Sequence, residues 1–322
     1  MQERDKDIKI SVIIPFRNSG RFIGQCCKSL FGQTMKEVEY IFVDDGSTDL
    51  SLSTVKTVLE SYPSRKGSVK IISHPTSQGV ANSRQEALDI VKGEYIIHCD
   101  SDDYLDLNAF YTMYNAAINN KADIVAISFI YESRDSKKNI TFRSNIFPSL
   151  NETPFDTLHF SLCNKIIRRD LIERCCARFF EGIDCWEDLG FVTQLLVYKP
   201  KITILPEAMY HYRRGQSATL TTGNMERVLN DHIKMAIALE KWFTDDMKEE
   251  FSQFLNLLKF SAKIKYARKG TFDLVKWKTT FPEVNNRILS FKTVPILYRL
   301  LFVTVNILPL PICRMFNKMQ KQ

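Results

Sequence analysis

Apolar and polar residues alternate in blocks along the N-terminal third of the chain. Continuous apolar runs bounded by turn, proline or acidic residues predict four strands, at 8–16, 39–43, 69–73 and 94–99. Between them, apolar side chains recur at helical spacing, which predicts helices over 20–31, 50–61 and 80–91. Asn18 or Ser19 is the expected cap of the first helix. Strands that alternate with helices indicate βαβ units, so we expect an α/β fold in which helices cover both faces of a mostly parallel sheet.

Polar residues follow each predicted strand, at the edge where parallel strands end. They are Asn18, Asp44, Asp45, His74, Asp100 and Asp102, in the order of the strands. Ligands of open α/β sheets bind beyond the carboxyl ends of the strands, so we expect these side chains to converge on one site. No G-x-G-x-x-G follows the first strand and no Walker lysine loop is present, so the sequence supports neither a dinucleotide site nor an ATPase.

The segment Asp100-Ser101-Asp102-Asp103 places three carboxylates within four residues. Like charges repel and lose hydration together, so a fold holds them at a strand end only beside positive charge. Mg²⁺ or Mn²⁺, which prefer carboxylate and phosphate oxygens, are the natural candidates. The alternative is an ordinary loop in which Asp103 or Asp106 caps a helix beginning near Leu107.

Composition narrows the class of protein without identifying it. The 322 residues, 44% hydrophobic and 25% charged, suffice for one large domain or a medium domain with an appendage. The eight cysteines include two adjacent pairs and no CxxC, which indicates a reducing compartment in which cysteine serves as a small core residue. The N-terminus lacks the apolar segment of a signal peptide, so we expect a cytoplasmic protein.

The C-terminal third has helical patterning and a basic end. Helices are predicted over 228–243 and 251–267, and no acidic residue follows Glu283 in a chain of net charge +7. The uncharged stretch 300–313 contains Pro309 and Pro311 and is too short to span a bilayer. It is either an interfacial segment on a membrane or a helix buried on the protein. We expect a catalytic domain over 1–222 and a helical region over 223–322. Within the helical region, residues 288–322 are the candidate for contact with a membrane. Nucleic-acid binding is disfavoured, because basic residues outside the tail are not interleaved with aromatics.

Several segments together resemble the inverting family 2 glycosyltransferases of the GT-A fold. They read VIIPFRNSGRFIGQCCKSLFGQT, YIFVDDGSTD, SQGVANSRQEALDIVKGEYIIHCDSDDYL, CNKIIRRDLI, CWEDLGF and YHYRRGQSAT. Their order and spacing match the family over about two thirds of the chain. The resemblance implies the GT-A fold, a Rossmann-like, mostly parallel sheet with helices on both faces, followed here by the helical region.

The resemblance also implies contacts with a nucleotide-sugar donor. Residues expected to contact it are Pro15, Phe16, Asn18, Asp44, Asp45, Arg84, Asp100, Ser101, Asp102 and Arg213. Asp45 or Asp44 would bind uracil or ribose beside the backbone of 15–18, and Arg84 would bind the diphosphate. Arg213 or Arg214 could reach the diphosphate as well. The alternatives are a β-turn after the second strand and a solvated helix arginine.

For the chemical step, the resemblance assigns a metal site and a base. Asp100 and Asp102 match the DXD pair that binds the metal and the diphosphate, and His211 is a candidate third metal ligand or a packed strand residue. Asp188 is the expected general base and Glu187 the less favoured one, although both also suit the first turn of a helix over 189–198. Lys165 is a candidate for phosphate or acceptor contact, and Trp186 for a sugar ring or core packing.

The expected function is therefore that of a metal-dependent inverting hexosyl- or N-acetylhexosaminyl-transferase using Mn²⁺ or Mg²⁺. The donor would be a nucleoside-diphosphate sugar, UDP-linked in our prediction. The acceptor would be a hydroxyl of a glycan or lipid-linked saccharide, as in cell-surface polysaccharide synthesis, with the enzyme cytoplasmic or peripheral on the membrane. Two alternatives are a non-catalytic sugar-nucleotide-binding relative and a sugar nucleotidyltransferase. The second needs a glycine- and lysine-rich signature near the first strand, which residues 15–18 do not supply.

Overall fold

The computed structural model describes residues 8–132, 137–140, 160–213, 224–267, 273–291 and 296–319. The chain forms two compact units: described residues up to 213 belong to the first and those from 224 to the second. The predicted domain boundary at 222/223, Arg214 and parts of the 288–322 segment lie outside the described residues.

A nine-stranded sheet forms the centre of the first unit. Its strands are β1 (Ile10–Phe16), β2 (Val38–Asp44), β3 (Val69–Ser73), β4 (Tyr95–His98), β5 (Tyr104–Leu105), β6 (Ile124–Glu132), β7 (Lys137–Ile140), β8 (Lys165–Arg168) and β9 (Ile202–Arg213). The order is β3-β2-β1-β4-β8-β6-β9-β5, and β7 pairs with β6. The four strands predicted from the N-terminal third are confirmed, each within two residues at either end.

The first four strands run parallel, and this sets the position of the polar residues that follow them. β1 pairs with β2 on one side and with β4 on the other, with Phe16 opposite Asp44 and Ile13 opposite His98. The segments after β2 and after β4 therefore leave the same edge of the sheet on either side of β1. The remaining strands join through antiparallel and parallel pairs, so the complete sheet is mixed.

Helices pack on the sheet because each has one apolar face. They are α1 (Ile23–Phe31), α2 (Ser51–Glu60), α3 (Val80–Leu88), α4 (Ala109–Asn120), α5 (Arg169–Arg174) and α6 (Glu187–Leu196). The predicted cap of α1 is wrong: Asn18 Oδ1 instead accepts from the Thr48 N–H at 2.8 Å. The alternative reading of the acidic segment, in which Asp103 or Asp106 caps the next helix, is not supported either, since α4 begins at Ala109 without a side-chain cap. The acids at 103 and 106 are thus available for other contacts.

The second unit consists of helices around an aromatic core. They are α7 (Met225–Trp242), α8 (Asp245–Glu250), α9 (Ser252–Lys263), α10 (Leu274–Thr279), α11 (Ile296–Ile307) and α12 (Leu310–Met319), with 3₁₀ turns at Ile264–Ala267 and Pro282–Ser290. Trp277 is fully buried and stacks on Phe302 at 4.4 Å between ring centroids, and Phe260 meets both rings edge-on. Across the described residues, no single helix has the length and hydropathy of a membrane span, and only Arg299–Ile307 with Leu310–Lys318, bent by 111°, satisfies both criteria as a pair.

A glycine before α3 joins two separate loops of the first unit. Gly79 has φ +98°, and a β-carbon there would lie 2.4 Å from Asp184 Oδ1. The same Oδ1 accepts from the Ala81 N–H at 3.1 Å, so Asp184 holds the first turn of α3. Only glycine permits both this backbone conformation and this approach.

We expect Gly79→Ala to lower the free energy of unfolding by roughly 3 kcal/mol or more, because the methyl group adds a steric clash to an unfavourable φ. Gly182→Ala is the matched control: its φ is +68°, but nothing lies within 4 Å of the added β-carbon. The control should lose about 1 kcal/mol, the cost of the positive φ alone. Urea denaturation of both variants tests this, and equal losses would contradict the proposed clash with Asp184.

Candidate active site

The acids that follow β4 are arranged by contacts with β9 and α3. Asp100 Oδ1 accepts a hydrogen bond from Arg84 Nη2 at 2.8 Å. Asp103 accepts from the Tyr210 hydroxyl and from the Arg213 backbone N–H, both at 2.9 Å. The Tyr210 hydroxyl in turn accepts from the Asp100 N–H at 3.2 Å. Tyr210 thus fixes both ends of the acidic segment, and Asp103 is turned inward as a structural group.

Negative charge exceeds positive charge around this segment. Burial, followed by the charge of Asp100, raises the pKa of Asp102 to about 6. Burial, followed by the charges of Asp102 and Asp100, raises the pKa of Asp103 well above its usual range. Raised carboxyl pKa values mean that an added cation would be stabilising here. The donor set of Asp100 and Asp102, carboxylates only, suits a hard divalent ion.

His211 lies beside different carboxylates. Its Nε2 faces Asp106 Oδ1 at 2.9 Å, its Nδ1 faces Glu132 Oε1 at 3.1 Å, and its ring stacks on Tyr104 at 4.1 Å. In the part of the chain that is described, no three His, Cys, Asp or Glu residues are grouped to hold a metal ion. The structure therefore does not bring His211 to Asp100 and Asp102, and its role as a metal ligand stays a prediction.

A buried arginine joins the acids after β4 to the acids of α6. Arg84, only 5% exposed, lies on α3. Besides its bond to Asp100, its Nε lies 3.6 Å from Glu187 Oε1. Its Nη1 is buried without a hydrogen-bond partner in the structure. One guanidinium thus contacts both Asp100 after β4 and Glu187 at the start of α6, and its Nη1 donor has no hydrogen-bond partner in the structure.

The acids of α6 lie at its N-terminus, as the sequence predicts. Glu187 and Asp188 form the first turn, and Asp188 Oδ1 also accepts from the Leu189 N–H at 2.7 Å. Burial raises the pKa of Asp188 to about 6, and burial with the adjacent charge of Asp188 raises the pKa of Glu187. Trp186 precedes them with φ +71°, a strained conformation for a large residue that re-aims the chain into the helix.

Lys165 is turned into the protein near these acids. It is 1% exposed, and its Nζ donates to the Ser161 carbonyl at 2.6 Å and to Asn164 Oδ1 at 2.7 Å. Burial lowers the pKa of Lys165 to about 8, and its charge acts on Asp188. The contact with phosphate or acceptor expected from the sequence does not follow from this placement, which makes Lys165 an electrostatic neighbour of the candidate base.

On the nucleotide side, the two acids after β2 have different roles. Asp45 Oδ1 accepts from His74 Nδ1 at 3.0 Å and from the Gln78 N–H at 2.7 Å. Its Oδ2 accepts from the Ser77 hydroxyl at 2.6 Å and the Gly79 N–H at 3.1 Å. Although burial opposes ionisation, these bonds lower the pKa of Asp45. Asp45 therefore holds the loop before α3, whereas the carboxylate of Asp44 accepts only from the Ser47 N–H among the contacts described here.

The end of β1 contributes backbone more than side chains. Pro15 and Phe16 are buried in the strand, and Phe16 meets Phe42 edge-on at 6.4 Å. Asn18 has φ +49° and connects β1 to the loop after β2 by accepting from Thr48 and donating its N–H to Ser47 Oγ. Of the predicted nucleotide contacts at 15–18, only the backbone and Asn18 can face a ligand.

Two more of the predicted residues lie beside the acidic segment. Ser101 Oγ is 2.7 Å from Ser19 Oγ. Arg213 Nη1 donates to the Asp102 carbonyl at 2.8 Å, its Nη2 contacts Gln25, and its guanidinium lies over the ring of Tyr104 at 5.0 Å. Arg213 thus supports the backbone of the segment.

Sequence reasoning missed Tyr210 and the role of His74. Tyr210 acts across the pairing of β5 with β9, which brings together residues more than a hundred positions apart and leaves no local signal. His74 lies between Asp45 and Glu86, with Nε2 at 2.7 Å from Glu86 Oε2. The position of His74 after a strand indicated that it lies near the site, but the sequence did not show that it contacts Glu86 on α3.

Comparison with known proteins supplies the family. The model of glycosyl transferase family 2 matches residues 11–176, just over half of the chain. A poly(ribitol-phosphate) beta-glucosyltransferase of Bacillus spizizenii is 30% identical over 209 residues, which cover 64% of this chain and 32% of that protein. The matched region spans 66% or less of each of the first three curated relatives.

Solved structures show the same fold. TarS 1–349 of S. aureus in complex with UDP-GlcNAc has a TM-score of 0.64 at 23% identity, covering 89% of this chain and 82% of that one. A mannosyltransferase of Pyrobaculum calidifontis in complex with GDP-Man and Mn²⁺ has a TM-score of 0.58 at 16% identity, covering 97% and 84%. Together with the family match, these likenesses establish that the chain belongs to glycosyl transferase family 2 and has the GT-A fold.

Proposed function

We propose that the protein transfers a sugar, with inversion, from a UDP-sugar to a hydroxyl of a glycan or lipid-linked saccharide, and that the reaction depends on a divalent metal. The observation that carries the proposal is the buried Arg84, which holds Asp100 and Glu187 on one guanidinium. Donor-side and acceptor-side acids are thereby kept at one edge of the sheet. A role in cell-surface polysaccharide synthesis is supported by the likeness to a poly(ribitol-phosphate) beta-glucosyltransferase.

The donor would lie across the ends of β1, β2 and β4. Asp44 is the better candidate for uracil or ribose, because all four hydrogen bonds described for the Asp45 carboxylate are made with residues between His74 and Gly79. Asp100 and Asp102 would hold Mn²⁺ or Mg²⁺, which would neutralise charge on the leaving diphosphate. Arg84 Nη1 is a donor suited to a diphosphate oxygen.

Asp188 is the proposed general base. Its carboxylate takes the proton of the acceptor hydroxyl while that oxygen forms the bond to the anomeric carbon. The bond between the anomeric carbon and the diphosphate oxygen breaks in the same step, and UDP leaves with the electron pair. Attack opposite the leaving group inverts the configuration. Glu187 is less suited to this role because its carboxylate faces Arg84.

Asp188→Asn should keep donor binding and reduce kcat by roughly 10²–10⁴-fold, because the amide cannot accept the proton. Asp170→Asn is the matched control, as Asp170 is also a first-turn helix acid but lies exposed on α5. Transfer is measured with a UDP-sugar and acceptor, and donor binding by calorimetry. Transfer by Asp188→Asn at the parental rate would disprove the assignment of the base.

The pH dependence of transfer should show the titration of Asp188. A base acts in its deprotonated form, and burial raises the pKa of Asp188 to about 6. We therefore expect kcat/KM to fall about tenfold per pH unit below that pKa and to level off above it. Rates measured across this range test the expectation. A flat profile for the parent, or an unchanged acidic limb in Asp188→Asn, would argue against it.

The metal and the donor are tested together by thermal unfolding with a panel of UDP- and GDP-sugars, with and without Mn²⁺. A UDP-sugar at about 100 times its Kd should stabilise the protein by about 2.7 kcal/mol, and only when Mn²⁺ is present. Asp102→Asn should lose this stabilisation. Asp106→Asn, which alters the carboxylate beside His211, should retain it. Stabilisation by GDP-sugars alone, or equal stabilisation under EDTA, would contradict the proposal.

A further inference from the structure

Helices α11 and α12 expose an apolar face that the rest of the chain does not cover. Nine of the 17 exposed large apolar side chains in the described residues belong to these two helices. On α11 the most exposed are Leu297 at 77% and Ile307 at 76%, with Leu300 and Leu301 between them. On α12 the exposed residues include Ile312, Met315 and Phe316. We refer to these seven side chains as the outward apolar face.

The polar sides of both helices are bound to α10, which fixes the orientation of this face. Asn306 of α11 accepts from Trp277 Nε1 at 3.0 Å. Asn317 of α12 accepts from the Leu274 N–H at 2.9 Å and donates to Asp273 Oδ1 at 2.7 Å. These hydrogen bonds are partly buried and costly to break, so the apolar sides cannot turn inward without losing them. The exposure is therefore built into the second unit.

Positive charge accompanies the outward apolar face. Arg314 and Lys318 lie one turn apart on α12 and are both exposed. From residue 284 to the end of the chain the sequence has six lysines and arginines and no acid. Apolar side chains flanked by basic ones are the pattern of helices that lie in the interface of a membrane with anionic lipids.

Neither a membrane span nor a second copy of the chain fits this segment as well. The two helices bend by 111° at their junction. They have 12 and 10 residues, whereas a helix that spans a bilayer needs about 20. Two copies meeting through this face would bring the like charges of two such segments together, since residues 284–322 contain six basic residues and no acid. A lipid surface supplies both the apolar interior and the negative charge.

We propose that the outward apolar face and its basic flank dock the protein on the surface of an anionic lipid bilayer. The residues that carry it are separate from Asp100, Arg84 and Asp188, so docking does not depend on the proposed transfer reaction. For a lipid-linked acceptor, such docking would raise the local acceptor concentration.

Vesicle co-sedimentation without any donor tests the proposal. The full chain should sediment with vesicles of phosphatidylglycerol and phosphatidylcholine, and far less with phosphatidylcholine alone. Leu297→Ser/Leu301→Ser should weaken binding to the anionic vesicles roughly tenfold or more, because two exposed apolar side chains are removed. Leu50→Ser/Leu107→Ser is its control, as these leucines are exposed elsewhere, at 74% and 55%.

The charge contribution has its own pair of variants. Arg314→Gln/Lys318→Gln should weaken binding to anionic vesicles about tenfold, and added salt should have the same effect on the parent. Lys234→Gln/Lys241→Gln removes two exposed charges from α7 and should change nothing. Thermal unfolding confirms that each variant is folded, and a UDP-sugar shift measured in parallel reports the transfer site separately.

Three results would overturn the proposal. The first is that the parent protein remains in the supernatant with anionic vesicles at low salt. The second is that the variant Leu297→Ser/Leu301→Ser binds these vesicles as tightly as the parent. The third is that analytical ultracentrifugation shows a dimer for the parent and a monomer for Leu297→Ser/Leu301→Ser, while neither protein binds vesicles. In that case the face is an interface between copies of this chain.

Discussion

The candidate site depends on one buried positive charge. Burying a guanidinium costs several kcal/mol of desolvation unless acids and hydrogen bonds compensate it. Asp100 and Glu187 contact Arg84, the charge of Asp188 adds to them, and together they raise the pKa of Arg84 despite its burial. Loss of the arginine would leave like charges facing each other at the sheet edge. The arrangement of the acids after β4 and at the start of α6 therefore depends on the arginine that α3 places between them.

A second basic side chain near Arg84, that of His98, does not add positive charge to the site. His98 on β4 is fully buried between Phe179 and Phe191, and burial, then the charge of Arg84, lowers the pKa of His98 well below its usual range. A neutral ring adds no competing cation beneath the site. The acids still outnumber the positive charge, and the charge of Asp100 adds to the effect of burial in raising the pKa of Asp102. An excess of this kind is the electrostatic condition under which a divalent cation binds well.

Local sequence patterns predicted the frame and the identity of the acids, whereas long-range contacts decided their roles. Apolar runs located β1 to β4, and parallel pairing then placed the following acids at one edge. The adjacent residues Asp44 and Asp45 could not be separated from the sequence, because the four donors that use up Asp45 come from loops about thirty residues away. Similarly, His211 matches a ligand position, but Asp106 and Glu132, set by the pairing of β9, face its ring.

The nucleotide side and the base are also joined through the backbone. Asp45 holds the N–H groups of Gln78 and Gly79, the close approach at Gly79 admits Asp184, and Asp184 precedes the strained Trp186 by two residues. Strain of 1–3 kcal/mol at such a residue persists only where the surrounding structure over-determines it. The contacts of Asp184 with Gly79 and Ala81 and of Glu187 with Arg84 supply that constraint before and after Trp186. Asp188, the proposed base, would thereby be oriented before an acceptor arrives, and a pre-oriented base is what a single displacement requires, since misplacement by about 1 Å can cost a hundredfold in rate.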